Sequence, residues 1–139
     1  LNDIDGSTSN YSYDKNGYLS KLTWGDDGNL QCTWNNGNLV NEHRTGSDPM
    51  EYNYEYTNYP AKQNIDIFAF VYGYCHVDDP EYLGVGGLLG KKNAHLIKSS
   101  TSQSEAHVTF SYELDGNGNP TKVTMTSESE TTTYKILYK

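Results

Sequence analysis

A turn signature governs what this chain can fold into. Asn or Asp followed by Gly, with Leu or Pro two residues beyond, occurs at 16–19, 27–30, 36–39 and 117–120. Asn-Gly and Asp-Gly are the preferred pairs of two-residue hairpin turns. Both central residues there need positive φ, which Gly adopts freely and Asn or Asp tolerate. Between the turns the chain alternates. Leu22 and Trp24 share one face, as do Leu30, Cys32 and Trp34. Met50, Tyr52, Tyr54 and Tyr56 form a period-2 stripe opposite Glu51, Asn53, Glu55 and Thr57. Near the C-terminus Ala106, Val108, Phe110, Tyr112 and Leu114 alternate with polar residues. Val123 and Met125 then follow one turn, and Tyr134, Ile136 and Tyr138 follow a Ser-Glu-Ser turn. The pattern predicts an antiparallel β-meander, five strands before the middle of the chain and three after it.

The totals agree. Of 139 residues, 13 are Tyr, 13 Gly and only three Phe. Tyr and Thr suit pleated, half-buried strands, and Gly and Asn suit tight turns. The length allows one domain, 1–139, with a real core. With 18 Asp and Glu against 10 Lys and Arg, the net charge is −8. That balance disfavours nucleic acid, whose phosphates need a positive patch, and equally disfavours anionic lipid headgroups. No apolar run nears the ~20 residues of a membrane helix. Leu1 opens without a basic or apolar leader, so any export signal is expected to lie outside these residues. Cys32 and Cys75 lie far apart outside any CxxC pair. A single disulfide and two free thiols are both open, with free thiols favoured because Cys32 stands in a strand pattern that suits a small core residue.

The middle of the chain breaks the pattern. Residues 62–74 are apolar at nearly every helical angle, with Ile65, Phe68, Ala69 and Tyr72 on one side and Ile67, Phe70 and Val71 on another. A short, wholly buried helix fits, with Pro60 near its first turn, and a buried strand competes. The following HVDDPEYLGVGGLLGKKNAHL reads as loop. The expectation is therefore a mainly β fold, an antiparallel meander curled into a soluble barrel or half-barrel. A helix-and-loop insertion around 60–95 would plug one end of it.

Motifs that carry chemistry mostly fail on spacing. Asp115-Gly116-Asn117-Gly118-Asn119 opens like a calcium loop, but Pro120 and Thr126 stand where that motif needs Gly and Glu. In residues 84–92, Leu89 occupies a glycine position of a dinucleotide fingerprint. Val85 and Lys92 break the phosphate-loop pattern. His43, His76, His95 and His107 lack metal-ligand spacing, and adjacent Cys75 and His76 would point to opposite faces of a strand. No metal and no cofactor is expected. Asp78, Asp79 and Glu81 form an acidic knot at a Pro turn. It reads either as a solvated turn or as a set of glycosidase-type carboxylates, which must face each other ~5–9.5 Å apart across a cleft. Tyr59, Tyr72, Tyr74 and Tyr82 flank the insertion. They read as core wall or as exposed rings able to stack on sugars or anchor a partner.

Two resemblances follow. YSYDKNGYL resembles the YD repeats of secreted bacterial shell and toxin proteins. A wider likeness rests on YEYTNYPAKQNIDIFAF, YLGVGGLLGKKNAHLIKSS and YELDGNGNPTKVTM. These resemble a family of uncharacterised exported lipoproteins of Gram-negative gut commensals, a domain of unknown function with a porin-like β fold. The resemblance implies an antiparallel barrel-like sheet and an exported protein in the periplasm or at the outer-membrane surface. It further implies a lipid anchor on a segment outside these residues, and it carries over no site residues. The face opposite the aromatic stripe holds Lys21, Glu51, Glu55, Lys122 and Glu128. Basic residues there would cost about 2–4 kcal/mol each at a bilayer midplane, so the chain is not expected to span a membrane.

The reading is a non-catalytic binding or structural module of a cell-envelope lipoprotein. Its partner would be a glycan, a lipid-like ligand or an envelope protein, bound at Tyr59, Tyr72, Tyr74, Tyr82, Asp78, Asp79 and Glu81. The alternative is a carboxylate-based hydrolase acting on glycans through the acidic knot.

Overall fold

The computed structural model describes residues 9–24, 28–62, 90–103 and 107–138. They form one nine-stranded antiparallel sheet in sequential order. Its strands are β1 (Ser9–Tyr13), β2 (Leu19–Trp24), β3 (Gly28–Asn35), β4 (Asn38–Thr45), β5 (Met50–Pro60), β6 (His95–Ser102), β7 (Val108–Leu114), β8 (Pro120–Thr126) and β9 (Thr131–Lys135). The sheet is open: β1 and β9 are its two edges and do not pair with each other. No helix occurs among the described residues. The predicted insertion falls largely on 63–89, so the choice between helix and strand there lies outside the described residues.

The meander is as expected, with two corrections. Four strands follow the middle of the chain rather than three, because His95–Ser102, whose first two residues close the stretch read as loop, is β6. The turns also divide into two kinds. Asn36 and Gly37 both have positive φ, 50° and 77°, and Asn35 pairs with Asn38, giving the two-residue turn that Asn-Gly prefers. At the other two described sites only the glycine is left-handed, Gly17 at 85° and Gly118 at 80°. Each closes a three-residue loop in which an aspartate does the organising. Asp14 Oδ1 accepts the amides of Asn16 and Tyr18, and Asp115 Oδ1 those of Asn117 and Asn119. The two hairpins are one unit used twice, visible as YSYDKNGYLSKLTW against YELDGNGNPTKVTM. Ser20 Oγ donates to Ser12 O in one, and Thr121 Oγ1 to Glu113 O in the other.

A second device recurs four times. Ser20, Val40, Lys98 and Thr121 each lack a partner in the ladder at a register shift, which makes them β-bulge residues. A bulge resets the two-residue alternation, so residues three apart share a face. Leu19 with Leu22, Leu39 with Glu42, Ile97 with Ser100, and Pro120 with Val123 are all fully buried. The carbonyl just before each bulge is held by an aromatic side chain from further along. Trp34 Nε1 donates to Leu19 O at 2.7 Å, Tyr56 OH to Leu39 O at 2.7 Å, Tyr112 OH to Ile97 O at 2.6 Å and Tyr138 OH to Pro120 O at 2.7 Å. These bonds occupy carbonyls where the ladder is disrupted, and a buried carbonyl left bare is costly.

The core is a single cluster on one face. Leu19, Leu22, Leu30, Leu39, Tyr52, Tyr54, Ile97, Val108, Phe110 and Val123 form it, and Trp24, Trp34, Met50, Tyr56, Tyr112 and Met125 pack against it. Glu42 lies fully buried on this face, where Tyr54 OH donates to its Oε2 at 2.8 Å. Cys32 is a half-buried free thiol beside the cluster.

The two stems of the insertion cross one end of the sheet. Lys91 N donates to Gly17 O, Ala94 N to Gly37 O and Ala61 N to Ala94 O. Lys62 Nζ donates to Asn117 O at 2.7 Å. Buried Asn93 accepts the Leu39 amide through Oδ1 at 2.7 Å. The glycine turns are therefore packed from outside. A Cβ at Gly37 would stand 3.0 Å from Ala94 Cβ and 3.3 Å from the Tyr18 hydroxyl, on a left-handed backbone. Gly116 has neither problem: nothing lies within 4 Å and its φ is ordinary. Lys15 fills the equivalent place in the first hairpin. Thermal melts are expected to separate the two, with Gly37→Ala losing about 1–2 kcal/mol or more and Gly116→Ala gaining about 0.4–1 kcal/mol. Equal effects would contradict the turn geometry.

Candidate functional site

Of the side chains singled out in the sequence, Tyr59 is described. It is 49% exposed near the end of β5, where its amide donates to Thr57 Oγ1. Tyr72, Tyr74, Tyr82, Asp78, Asp79 and Glu81 lie outside the described residues, as do Cys75 and His76. The Asp115 loop organises a hairpin, as its failed calcium spacing suggests. Among the described residues no group of three His, Cys, Asp or Glu stands close enough to hold a metal ion.

A concave site does exist elsewhere, on the polar face over β5, β6 and β7. It is a groove of about 420 Å³ lined by Asn53, Tyr54, Glu55, Lys98, Ser99, Thr101, His107, Thr109 and Phe110. Its layout follows from the register. Glu55 pairs with Ser99, which pairs with Thr109, making one cross-strand row. Asn53 pairs with Thr101, and continuing the same register places His107 beyond it as a second row. Among the described residues β6 and β7 pair at Ser99 with Thr109 and at Ser100 with Val108. Lys98 enters through the bulge. Regular alternation would point it away from Ser99's face, and the extra residue turns it toward Glu55 instead.

The electrostatics are those of one balanced pair. Lys98 Nζ lies 3.0 Å from Glu55 Oε2, and Ser99 Oγ lies 3.4 Å from the same oxygen. The Lys98 hydrogen bond and charge, followed by Ser99 and the nearby His107, hold the Glu55 carboxyl below the usual range. Glu55 is thus an ionised acceptor, and Oε1 takes no hydrogen bond among the described residues. Both side chains are well exposed, so the pair adds little stability. Comparison of the four bulges sharpens the point. Ser20 and Thr121 spend their hydroxyls on the preceding strand, whereas Lys98 carries a charged head into a groove.

Sequence reasoning passed over this site. Asn53 and Glu55 read as the polar side of the tyrosine stripe, His107 as a histidine without metal-ligand spacing, and Lys98 and Ser99 fell just past a supposed loop. The available signal was the run Ile97-Lys98-Ser99-Ser100, which repeats Leu19-Ser20-Lys21-Leu22 and Pro120-Thr121-Lys122-Val123 in shape.

The depressed carboxyls make a pH prediction. Asp14 and Asp115 are lowered chiefly by the amides of Tyr18 and Asn119. A folded pKa below the unfolded one contributes stability above the unfolded carboxylate range, about 3.9–4.3, and loses it as pH falls through the folded value. Asp115→Ala is therefore expected to melt below the wild type at pH 7, with the gap closing toward pH 2. A gap independent of pH would assign Asp115 a purely steric role.

The comparisons with known proteins bear on this architecture. A family model described as a domain of unknown function (DUF4595) with porin-like fold matches residues 4–122. A porin-like protein from Bacteroides uniformis ATCC 8492 superposes with a TM-score of 0.66 at 17% identity, over 95% of this chain and 60% of that one. Another porin-like protein, from Bacteroides vulgatus ATCC 8482, superposes at 0.60 and 15% identity, over 91% of this chain and 63% of that one. The chain thus spans less than two thirds of either structure. No curated protein matches it.

Proposed function

The chain belongs to the family of domains of unknown function with a porin-like fold, and from that premise we propose that it is a non-catalytic binding module of an exported cell-envelope protein. The observation that carries the reading is the groove over β5–β7, a concave array of polar side chains backed by Tyr54 and Phe110. Its volume lies within the roughly 300–1,000 Å³ of small-molecule sites. Catalysis is not part of the reading. Glycoside hydrolysis takes two facing carboxyls, one with a raised pKa, and among the described residues the groove is lined by one, Glu55, whose pKa is lowered. The tyrosines and acidic knot of the insertion, Tyr59, Tyr72, Tyr74, Tyr82, Asp78, Asp79 and Glu81, remain a second proposed contact surface.

An envelope location is supported by the Bacteroides source of the porin-like structures. Lipid anchoring outside these residues belongs to the same proposal. No helix among the described residues is long and apolar enough to cross a membrane. The strands are proposed not to cross one either, since Lys21, Glu51, Glu55 and Lys122 share the polar face. The test is a melt screen against glycans, fatty acids, bile acids and calcium. A ligand at a hundred times its Kd stabilises the fold by about 2.7 kcal/mol. No shift with any of them would overturn the small-ligand reading and leave a protein partner or a structural role.

A further inference from the structure

We infer that the β5–β7 groove takes a neutral glycan, with the Glu55–Lys98 pair gripping adjacent hydroxyls of a sugar ring. The inference rests on the binding-module reading and names its ligand class.

Three features of the groove point there. The first is charge. Among the described lining residues the formal charges of Glu55 and Lys98 cancel. A phosphate, sulfate or carboxylate ligand would find no excess positive charge in the groove, within a chain of net charge −8. An apolar ligand fares no better. Asn53, Glu55, Lys98, Ser99, Thr101, His107 and Thr109 would lose water without gaining partners, which costs free energy for every polar group covered.

The second is donor and acceptor placement. Glu55 Oε1 offers an acceptor, and the Lys98 ammonium keeps donors beyond the one spent on Glu55. Their heads stand 3.0 Å apart. Neighbouring hydroxyls on a sugar ring are spaced by about one hydrogen-bond length. One hydroxyl can donate to the carboxylate while the next accepts from the ammonium. Charge-assisted bonds of this kind are roughly twice as strong as neutral ones. The hydroxyls of Ser99, Thr101 and Thr109, the Asn53 amide and the His107 ring surround that grip with groups that both donate and accept.

The third is the floor. Tyr54 and Phe110 line the groove from the core side, both buried, so they offer it only a narrow edge of aromatic carbon. That edge suits the carbon-bound hydrogens of a sugar, whereas it does not suit a phosphate or an amino-acid zwitterion. The four-bulge repeat adds an independent mark: at the position where its counterparts are Ser20, Val40 and Thr121, this unit alone has a charged residue.

The experiment uses the whole chain and amide-resolved NMR. The probes are neutral trisaccharides built of mannose, glucose and N-acetylglucosamine, a heparin disaccharide and sodium oleate. A neutral trisaccharide is expected to shift the amides of Thr101, His107 and Thr109. Glu55→Ala and Lys98→Ala, both at exposed positions, are expected to weaken it about tenfold or more while the melting temperature stays near wild type. Shifts at these amides from heparin disaccharide or oleate, with none from the neutral sugars, would overturn the ligand class and leave the binding module standing. Sugar binding unchanged in both variants would overturn the site. If no probe shifts any amide, the small-ligand reading falls with the inference.

Discussion

Leu39→Ala is expected to lower the unfolding free energy by about 2–5 kcal/mol, in the upper part of that range. The side chain is fully buried, so truncation removes its transfer free energy and leaves a cavity. How much of the cavity cost is recovered depends on whether the backbone can move in. Here it is pinned on both sides: the Leu39 amide is held by Asn93 Oδ1 at 2.7 Å and its carbonyl by Tyr56 OH at 2.7 Å. Asn93 is itself buried, so the stem cannot follow the shrinking side chain without giving up a polar partner. Leu137→Ala serves as the control. That leucine is 89% exposed, and its loss should stay within about 0.5 kcal/mol. A domain of this kind holds about 5–15 kcal/mol in total, so a urea melt should resolve the two easily. A loss below about 1 kcal/mol for Leu39→Ala would mean that the bulge region relaxes and that the clamp on it is weak.

The parts of the fold that follow simple rules were legible. Asn36-Gly37 formed the turn its residues prefer. The stripe from Met50 to Tyr56 lay on the core side because strict alternation has one solution when one face is buried. Other parts followed rules that period-2 reading cannot express. β6 went unseen because Leu96, Ile97, Ser99 and Ser100 are all buried, a run without alternation, with the bulge at Lys98 between them. Turn length at 16–19 and 117–120 was set by Asp14 and Asp115, upstream of the Asn-Gly pair, where a carboxylate captures two amides and fixes a longer loop. The groove was invisible for a related reason. It is made by cross-strand rows that join β5 to residues more than forty positions later, and by a lysine whose direction depends on a register shift. Tyr56, Tyr112 and Tyr138 were legible as members of alternating stripes, but alternation does not show that their hydroxyls are spent on backbone carbonyls.

That use of tyrosine leads to the second large effect. Tyr112→Phe keeps the ring and removes the bond to Ile97 O, the shortest of the four at 2.6 Å. Leaving a buried acceptor without its donor costs about 1–3 kcal/mol. Tyr138→Phe should cost less, because Tyr138 is 48% exposed and water can replace the hydroxyl. The consequences also differ in place. Among the described residues β6 and β7 share two paired positions, so the Tyr112 bond adds a third tie between them. The groove spans this strand pair, with Ser99 on β6 and Thr109 on β7, so its shape follows how the two strands sit together. Tyr112→Phe is expected to speed amide exchange at Ile97–Ser100 and in the first half of β7, and to weaken groove ligands although Tyr112 is not among the groove's lining residues. Tyr56→Phe gives the internal check. Tyr56 pairs with Ile97, the residue whose carbonyl Tyr112 holds, so the double variant should depart from additivity by about 0.5 kcal/mol or more. Strict additivity, with exchange at β6 unchanged in Tyr112→Phe, would show that the strands are held apart by packing alone. The groove width would then be set by Phe110 and Tyr54 beneath it.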